Sequence, residues 1–253
     1  MKAWSKICSQ CAARNATLCR VLDPQELARL NHASFRRWYS AGQAIGGIAA
    51  FDGRCATVVA GVMKLSKTLS DGRQQIVALL FPGDLLGRPY CAEFPYTVEA
   101  AADVLLCWHG RADFDRLLVL RPDFNRAFLQ RALDSIDAAR DWMLLLGRKT
   151  ALERVATLLL TLLQKTSYCC GDHQPSKDKI LTIPLTRLEM ADFLGLRLET
   201  VSRQLKLLET SGAIKRLDTR RILVLVAEGL SHAAGPDESG ESIAPATAAS
   251  TRQ

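Results

Sequence analysis

The chain lacks any uninterrupted apolar run of about 18 residues, the length that a membrane-spanning helix needs, and its mean hydropathy is +0.04. The N-terminus also lacks the apolar segment of a secretory signal. These absences predict a cytoplasmic protein that does not cross a membrane. Because 48% of its residues are hydrophobic and 23% charged, disorder throughout the chain is excluded as well.

Motifs of the common enzyme classes are missing too. The sequence has no Gly-x-Gly-x-x-Gly, no Walker-type loop and no acid–base pair at a useful spacing. Its four histidines are scattered in polar contexts, and the polar turn Trp108–Arg111 predicts that His109 is a surface residue. We therefore expect a protein that is not an enzyme.

Acidic residues are in short supply near the C-terminal end. The net charge of the chain is +7, and residues 148–226 hold 14 lysines and arginines against 8 acidic residues. Almost all of the positive excess therefore falls in one third of the chain, which predicts a polyanion as its partner.

The order of patterns along the chain predicts an α+β fold in five parts. A helix begins at Asp23-Pro24, short β-type runs separated by turns follow from Phe35 to Cys107, and a helical pattern then extends to about Lys165. We predict a cysteine-bearing arm (1–22), an antiparallel β-domain (23–110), a dimerisation helix region (111–167), a winged helix-turn-helix (168–234) that starts with a loop from Tyr168 to Lys179, and a disordered tail (235–253).

The helical region carries an apolar stripe at alternating spacings of three and four residues. This spacing is typical of the seam between two helices and predicts a parallel homodimer. A helix that packs on its own β-domain is the alternative, since the two periods differ little over so short a stretch. The stripe, called the seam below, consists of Leu129, Ala132, Ile136, Ala139, Met143 and Leu146.

Two helices joined by a short glycine turn are predicted near the C-terminus. Thr186 and Glu189 have the spacing of a capping box, Gly195-Leu196 interrupts the pattern, and a second helix runs from Leu198 to Ser211. Its solvent face presents Glu199, Ser202 and Arg203, side chains that can bind base edges in a major groove. The alternative is an ordinary surface pair between Glu199 and Arg203, which contributes about 0.2–0.5 kcal/mol.

A β-hairpin follows the second helix, so that the unit is a winged helix-turn-helix. Gly212 ends the helix, and the strands 213–217 and 221–226 are joined by Asp218-Thr219-Arg220. Phosphate contacts position such a protein on DNA without reading its sequence. For these contacts we predict Thr186, Arg197, Lys215, Arg216 and Arg220, together with Arg221.

Three cysteines, Cys8, Cys11 and Cys19, are clustered near the N-terminus. They could form a metal site, an oxidation-prone tail or a chance grouping, and the close Cys-x-x-Cys pair favours metal. Closed coordination needs a fourth thiolate, for which Cys107 is the candidate, although Cys107 could equally be a small hydrophobic residue of the β-domain. Zinc accepts the same four ligands, but structural zinc usually takes two closely spaced ligand pairs, whereas here three local ligands accompany one distant ligand.

Two motifs resemble those of the CRP/FNR superfamily of transcription regulators, and the resemblance covers about residues 8–230. The motifs are Leu188-Glu189-Met190-Ala191-Asp192-Phe193-Leu194-Gly195-Leu196 and Glu199-Thr200-Val201-Ser202-Arg203. The segments Trp142-Met143-Leu144-Leu145-Leu146-Gly147-Arg148-Lys149-Thr150 and Glu199 to Gln204 resemble the FnrL and FnrN branch of alphaproteobacterial FNR proteins, which are oxygen sensors. The resemblance implies a β-roll like that of cyclic-nucleotide-binding domains, a long dimerisation helix and RNA polymerase as a partner.

The resemblance also implies a cofactor and a DNA target. FNR-type sensors hold an oxygen-labile [4Fe–4S] cluster on three N-terminal cysteines and one β-roll cysteine, here Cys8, Cys11, Cys19 and Cys107. Glu199, Ser202 and Arg203 would read TTGAT-like half-sites in an inverted repeat and so control anaerobic or microaerobic genes. One departure is Arg197, which stands where relatives have a capping Thr or Ser; a phosphate contact would offset the lost cap.

A cyclic nucleotide is not expected in the β-roll. The superfamily members that bind one use a Gly-Glu for the ribose and an Arg-Ser or Arg-Thr for the phosphate. This chain has Gly87-Arg88-Pro89-Tyr90 and Glu93-Phe94-Pro95-Tyr96-Thr97 instead. A CRP-like regulator with a zinc-structured N-terminus, or with another small ligand in the roll, is the alternative.

Overall fold

The computed structural model describes residues 8, 11, 13–45, 51, 54–89, 94–170 and 179–235. The predicted disordered tail lies outside the described residues from position 236 onward. None of the described helices is both long and apolar enough to cross a membrane.

Strands and helices lie largely in separate runs along the chain, as in an α+β protein, which confirms the predicted fold class. In chain order the elements are α1 (Pro24–His32), β1 (Phe35–Tyr39), β2 (Ala44–Ile45), β3 (Cys55–Ala60), β4 (Met63–Thr68), β5 (Gln74–Leu80), β6 (Leu85–Leu86), β7 (Thr97–Ala100), β8 (Val104–His109), α2 (Arg111–Leu120), α3 (Pro122–Arg148), α4 (Ala151–Cys170), β9 (Lys179–Thr182), α5 (Arg187–Leu194), α6 (Leu198–Thr210), β10 (Ile214–Arg216), β11 (Arg221–Val224) and α7 (Ala227–Ala233).

The chain forms two compact units. The first contains the residues up to Ala132 and the segment Pro184–Gly195; the second contains Leu133–Ile183 and the residues from Leu196 onward.

Two antiparallel sheets build the β-roll of the first unit. Their strand orders are β1-β8-β3-β6 and β2-β7-β4-β5. Inward side chains of both sheets form one core, which includes Met63, Val98, Leu106 and Trp108. The Trp108 indole donates a hydrogen bond of 3.1 Å to the Tyr39 hydroxyl, so that the polar atoms of this core are paired.

Alternation along β8 decides which of its side chains enter the core. Val104, Leu106 and Trp108 are buried in the roll, whereas Leu105 and Cys107 are only half-buried because successive side chains of a strand point to opposite faces. Cys107 is therefore not part of the roll's apolar core. It lies on the outer face of the sheet, between Arg36 of β1 and Thr57 of β3.

The helical pattern predicted up to about Lys165 is present, but two breaks divide it into α2, α3 and α4. Arg121 is extended (φ −121°, ψ 98°) because the residue before a proline is disfavoured in helix, and α3 starts at Pro122. At the second break, the Thr150 amide donates to Glu153 at 2.6 Å and the Glu153 amide donates to Thr150 Oγ1 at 3.4 Å, a capping box that begins α4.

The second unit contains a small sheet with the order β10-β11-β9. The hairpin of β10 and β11 matches the predicted wing, but β9 and α7 were not predicted. The helix α4 continues to Cys170, so the predicted loop from Tyr168 is wrong for its first three residues, where no helix breaker occurs before Gly171. Residues 171–178 of that loop lie outside the described part of the chain.

Candidate functional site

The four cysteines of the predicted cluster site line one pocket in the first unit. Its empty volume, open mouth included, is about 420 Å³. The structure thus brings Cys107 to the same pocket as Cys19, which precedes it by 88 positions in the sequence. The other lining residues are Arg14, Thr17, Leu27, Leu30, Asn31, Ser34, Arg36, Thr57, Val59 and His109.

Successive tight turns bend the N-terminal arm so that its cysteines reach this pocket. The Cys11 amide donates to the Cys8 carbonyl at 3.3 Å, and the Arg14 amide donates to the Cys11 carbonyl at 3.0 Å. Thr17 then begins a 3-10 turn, and its hydroxyl accepts a bond of 3.2 Å from the Cys19 amide. These local bonds satisfy backbone groups that a regular helix would otherwise pair.

Two contacts outside the arm hold it in place. Gly83 (φ +102°) approaches Ala16 so closely that a Cβ at Gly83 would lie 2.7 Å from the Ala16 carbonyl oxygen, and so only glycine fits there. The guanidinium of Arg131 donates to the same carbonyl and forms an ion pair of 3.9 Å with Asp84. The arm is thereby tied to the β5–β6 turn and to α3.

An arginine stands beside the β-roll cysteine. Arg36 is the cross-strand partner of Cys107. Burial raises the pKa of Cys107 to about 11, although the charge of Arg36 and a hydrogen bond from its side chain lower it. Burial also raises the pKa of Cys8, again against the charge of Arg36. Sequence analysis missed Arg36, because its position opposite Cys107 depends on strand register.

His109 is buried, and the prediction of a surface histidine is wrong. It is 3% exposed, its Nδ1 lies 3.1 Å from Ser34 Oγ and its Nε2 lies 2.9 Å from Thr57 Oγ1. Burial lowers its pKa to about 4. The polar sequence around it was misleading because β8 extends through His109 and its outer face is covered here.

The four cysteines share a pocket without forming a metal-binding group in the described part of the chain. Four thiolates bound to one zinc ion would hold their sulfur atoms about 3.8 Å apart, since a Zn–S bond is about 2.3 Å. Among the residues that the structure describes, no three Cys, His, Asp or Glu side chains are grouped so that they could hold a metal ion.

The helix α6 of the second unit has one buried and one exposed face. Val201, Leu205 and Leu208 are buried, whereas Glu199 and Arg203 are exposed and Ser202 is half-buried. The last three residues share a face because positions i, i+3 and i+4 of a helix are neighbours. Within the described ranges, no ion pair joins Glu199 to Arg203.

Ion pairs hold the wing in shape. Arg216 binds Glu209 of α6 through Nε at 2.7 Å and Nη2 at 2.6 Å, and Arg221 Nε binds Asp218 at 2.6 Å. Lys215 is exposed and Arg220 half-buried. Of the two predicted phosphate contacts at helix starts, Thr186 caps α5 with Glu189, and Arg197 begins α6 without a side-chain cap, both as the sequence suggested.

The seam on α3 is not fully covered within the chain. Leu129, Ile136 and Met143 are 57%, 46% and 72% exposed. Ala139 is exposed, while Ala132 and Leu146 are half-buried. Leu133 and Leu144 are exposed as well and widen this apolar face beyond the predicted stripe.

A buried lysine that sequence analysis missed joins the β-roll to α5 within the first unit. Lys64 of β4 pairs with Glu99 of β7 at 2.7 Å and with Glu189 of α5. Burial raises the pKa of Glu189, but bonds from Lys64 and Thr186 outweigh it and the net pKa is lowered. Burial lowers the pKa of Lys64, yet its two carboxylate partners raise it overall. Both pKa shifts favour the charged forms of Lys64 and Glu189. The signal in the sequence that could have indicated a buried lysine is its place between Met63 and Leu65.

Replacing Lys64 with Met should lower the free energy of unfolding by about 3 kcal/mol at neutral pH, because removal of one partner leaves buried charge uncompensated. That lies at the low end of the usual range, since Glu99 and Glu189 keep 27% and 20% side-chain exposure. The lowered pKa of Glu189 stabilises the fold above its unfolded pKa, and this contribution disappears as pH falls through the folded pKa. The deficit of the variant should therefore shrink in acid.

Urea unfolding at neutral pH and near pH 4 measures this difference. Lys67→Met is the matched control, since Lys67 is on the same strand but exposed, with its ammonium 5.2 Å from the Tyr96 ring centroid. Equal stability of the two variants at neutral pH would show that the buried ion pairs contribute nothing.

Comparisons with known proteins agree with the β-roll and the helix-turn-helix described above. A model of the Crp-like helix-turn-helix domain matches residues 153–233, and a model of the cyclic nucleotide-binding domain matches residues 36–119. The transcriptional activator protein FnrL of Cereibacter sphaeroides is 39% identical over 233 residues, 92% of this chain and 94% of that protein. The chain belongs to the CRP/FNR family.

Other members of the CRP/FNR family give the same result. The nitrogen fixation regulation protein FixK of Bradyrhizobium diazoefficiens is 35% identical over 87% of this chain and 94% of its own. The solved structure of FixK2 from Bradyrhizobium japonicum has a TM-score of 0.69 and 29% identity, and the match covers 81% of this chain and 98% of that one.

Membership in the CRP/FNR family establishes the general activity of the chain. It is a DNA-binding transcriptional activator and not an enzyme, as predicted, and the family is dimeric. The match to a cyclic nucleotide-binding domain gives the fold of residues 36–119. That no cyclic nucleotide binds there stays a prediction from the sequence.

Proposed function

We propose that the chain is an oxygen-responsive activator whose pocket holds a [4Fe–4S] cluster on Cys8, Cys11, Cys19 and Cys107. The observation that carries this proposal is the convergence of the four cysteines on one pocket. Four thiols are the donor set of such a cluster, and so the residues present fit the group. When bound, it supplies iron and sulfide that react with oxygen.

The surroundings of the pocket support a link from the cysteines to the dimer helix. Leu18 and Leu22 of the arm pack with Phe114 of α2 and Phe124 of α3 in one buried cluster, against which Cys8 and Cys19 also pack. Since protein interiors are close-packed, a shift of the arm alters the packing of the first turns of α3. The seam lies further along the same helix, and we propose that the seam of a second copy of the chain packs against it.

For DNA recognition we propose that one set of residues in each subunit of the dimer binds base edges and another set binds phosphates. Glu199, Ser202 and Arg203 bind base edges of TTGAT-like half-sites, and two-fold symmetry places the half-sites in an inverted repeat about 34 Å apart. Phosphate contacts come from Thr186, Arg197, Lys215, Arg216 and Arg220. The activator works in the cytoplasm and engages RNA polymerase at anaerobic or microaerobic promoters.

The test is absorption spectroscopy and operator binding of protein purified without oxygen, followed during admission of air. We expect a broad sulfur-to-iron absorption in the visible that bleaches in air while affinity for an inverted-repeat operator falls. An operator with one scrambled half-site is the control for specific binding. Colourless protein, protein with zinc alone, or affinity that air leaves unchanged would contradict oxygen sensing and leave the family assignment intact.

A further inference from the structure

We propose that Arg36 is a positioning residue for the thiolate ligands, binding Cys107 directly and offsetting the negative charge that the cysteines bring to the pocket. This inference rests on the proposed function, because it assigns a role toward the same group. It goes beyond the four ligands to a residue that neither the motifs nor the resemblance assigned.

The position of Arg36 is determined by strand pairing. β1 pairs antiparallel with β8, and Arg36 stands directly opposite Cys107. Directly opposite residues have Cβ atoms about 4.5–5.5 Å apart, and the side chain of Arg36 hydrogen-bonds that of Cys107. Since both strands belong to the same four-stranded sheet, β1-β8-β3-β6, the backbone that carries Arg36 is part of a rigid element.

Arg36 also reaches the ligands of the arm. It lines the pocket with Cys8, Cys11 and Cys19, and its positive charge acts on the Cys8 thiol as well as on Cys107. Arg14 is a second cation of the pocket, but it belongs to the arm, and its charge acts on Cys8 and Cys19. Arg36 therefore connects the two sources of ligands, the strand and the arm.

Charge explains what this arrangement does. Four thiolates outweigh the positive iron–sulfur core, and hydrogen bonds to cluster sulfur atoms and nearby charge set the reduction potential of such groups. A guanidinium beside the sulfur atoms favours the more negative, reduced form and opposes oxidation. Arg36 is expected to raise the reduction potential and slow loss of the cluster in air.

The neighbouring Arg37 offers a matched control. It is on the same strand but exposed, and its guanidinium lies 5.2 Å from the centroid of the Tyr39 ring, away from the pocket lining. Arg36→Gln, Arg36→Lys and Arg37→Gln would be compared with the unaltered full-length protein after anaerobic purification. The readouts are iron content, redox titration followed by electron paramagnetic resonance, and the rate of bleaching in air.

We expect Arg36→Gln to shift the potential to more negative values and to bleach several-fold faster, Arg36→Lys to recover most of both effects, and Arg37→Gln to match the unaltered protein. An Arg36→Gln potential and bleaching rate equal to those of the unaltered protein would overturn the role of Arg36 alone. If Arg36→Lys changed the potential and the bleaching rate as much as Arg36→Gln, the positive charge of Arg36 would not be the cause, and the proposed role would also be overturned. Absence of iron from the unaltered protein would instead overturn the proposed function.

Discussion

Replacing Cys107 with serine is expected to leave the purified protein without most of its iron and to reduce anaerobic operator affinity to the level of air-treated protein. A hydroxyl is a far weaker ligand for iron than a thiolate, which is the form of cysteine that binds metals. Cys107 supplies the β-roll end of the proposed site, so that its loss leaves only ligands of the arm. Iron analysis and fluorescence anisotropy with labelled operator measure the two effects.

The Cys107 site allows a clean control for folding. Cys107 is half-buried on the outer face of β8, and serine is nearly the same size, so the metal-free variant should keep its unfolding midpoint. Cys55→Ala is the comparison, since Cys55 is 1% exposed, also lies in the β-roll and does not line the pocket. Full iron content in Cys107→Ser, or equal loss in Cys55→Ala, would remove Cys107 from the ligand set.

Replacing Arg203 with alanine should weaken operator binding by about 1–3 kcal/mol, the contribution of one bidentate contact to guanine, which corresponds to about 5- to 150-fold in dissociation constant. The side chain is exposed on α6 beside Glu199 and Ser202, free of any ion pair among the described residues that would compete for the guanidinium. Anisotropy titrations with the inverted-repeat operator measure the loss.

A base substitution distinguishes a reader of sequence from a general DNA contact. If Arg203 binds the guanine of the half-site, changing that G·C pair to A·T should weaken the unaltered protein and leave the Arg203→Ala variant little affected. Lys206→Ala is the matched control on the same helix, because Lys206 is exposed and outside the predicted reading set. A loss for Arg203→Ala that is equal on both operators would assign Arg203 to the DNA backbone.

Local chemistry made parts of the fold predictable. The capping box of Thr186 and Glu189 forms as expected, with bonds of 2.7 Å and 3.2 Å, because its partners are three residues apart. The break at Pro122 follows an equally local rule, because the residue before a proline is disfavoured in a helix. By contrast, β9 depends on pairing with β11, and it could not be predicted because no pattern within its four residues indicates a distant partner strand.

The candidate site was predictable where residue types alone carry the chemistry. The three clustered cysteines favoured a metal site from their spacing, whereas the choice of Cys107 as the fourth ligand came from the family resemblance. Strand alternation then puts Cys107 outside the core. Arg36, His109 and Lys64 depend instead on which strands are neighbours. His109 looked exposed because its sequence context is polar, yet Ser34 and Thr57 bind both of its ring nitrogens. Tertiary contacts of this kind override local composition.

The ion pairs within the wing have a consequence for how binding responds to ionic strength. Each DNA phosphate that a free cation neutralises releases counterions, and log affinity falls with log salt concentration by about 0.9 for each such contact. Arg216 and Arg221 are paired with Glu209 and Asp218, so in the proposed complex a phosphate would have to share or displace a carboxylate. If the wing contacts DNA as proposed, we expect its binding to depend less on electrolyte concentration than its number of basic residues suggests.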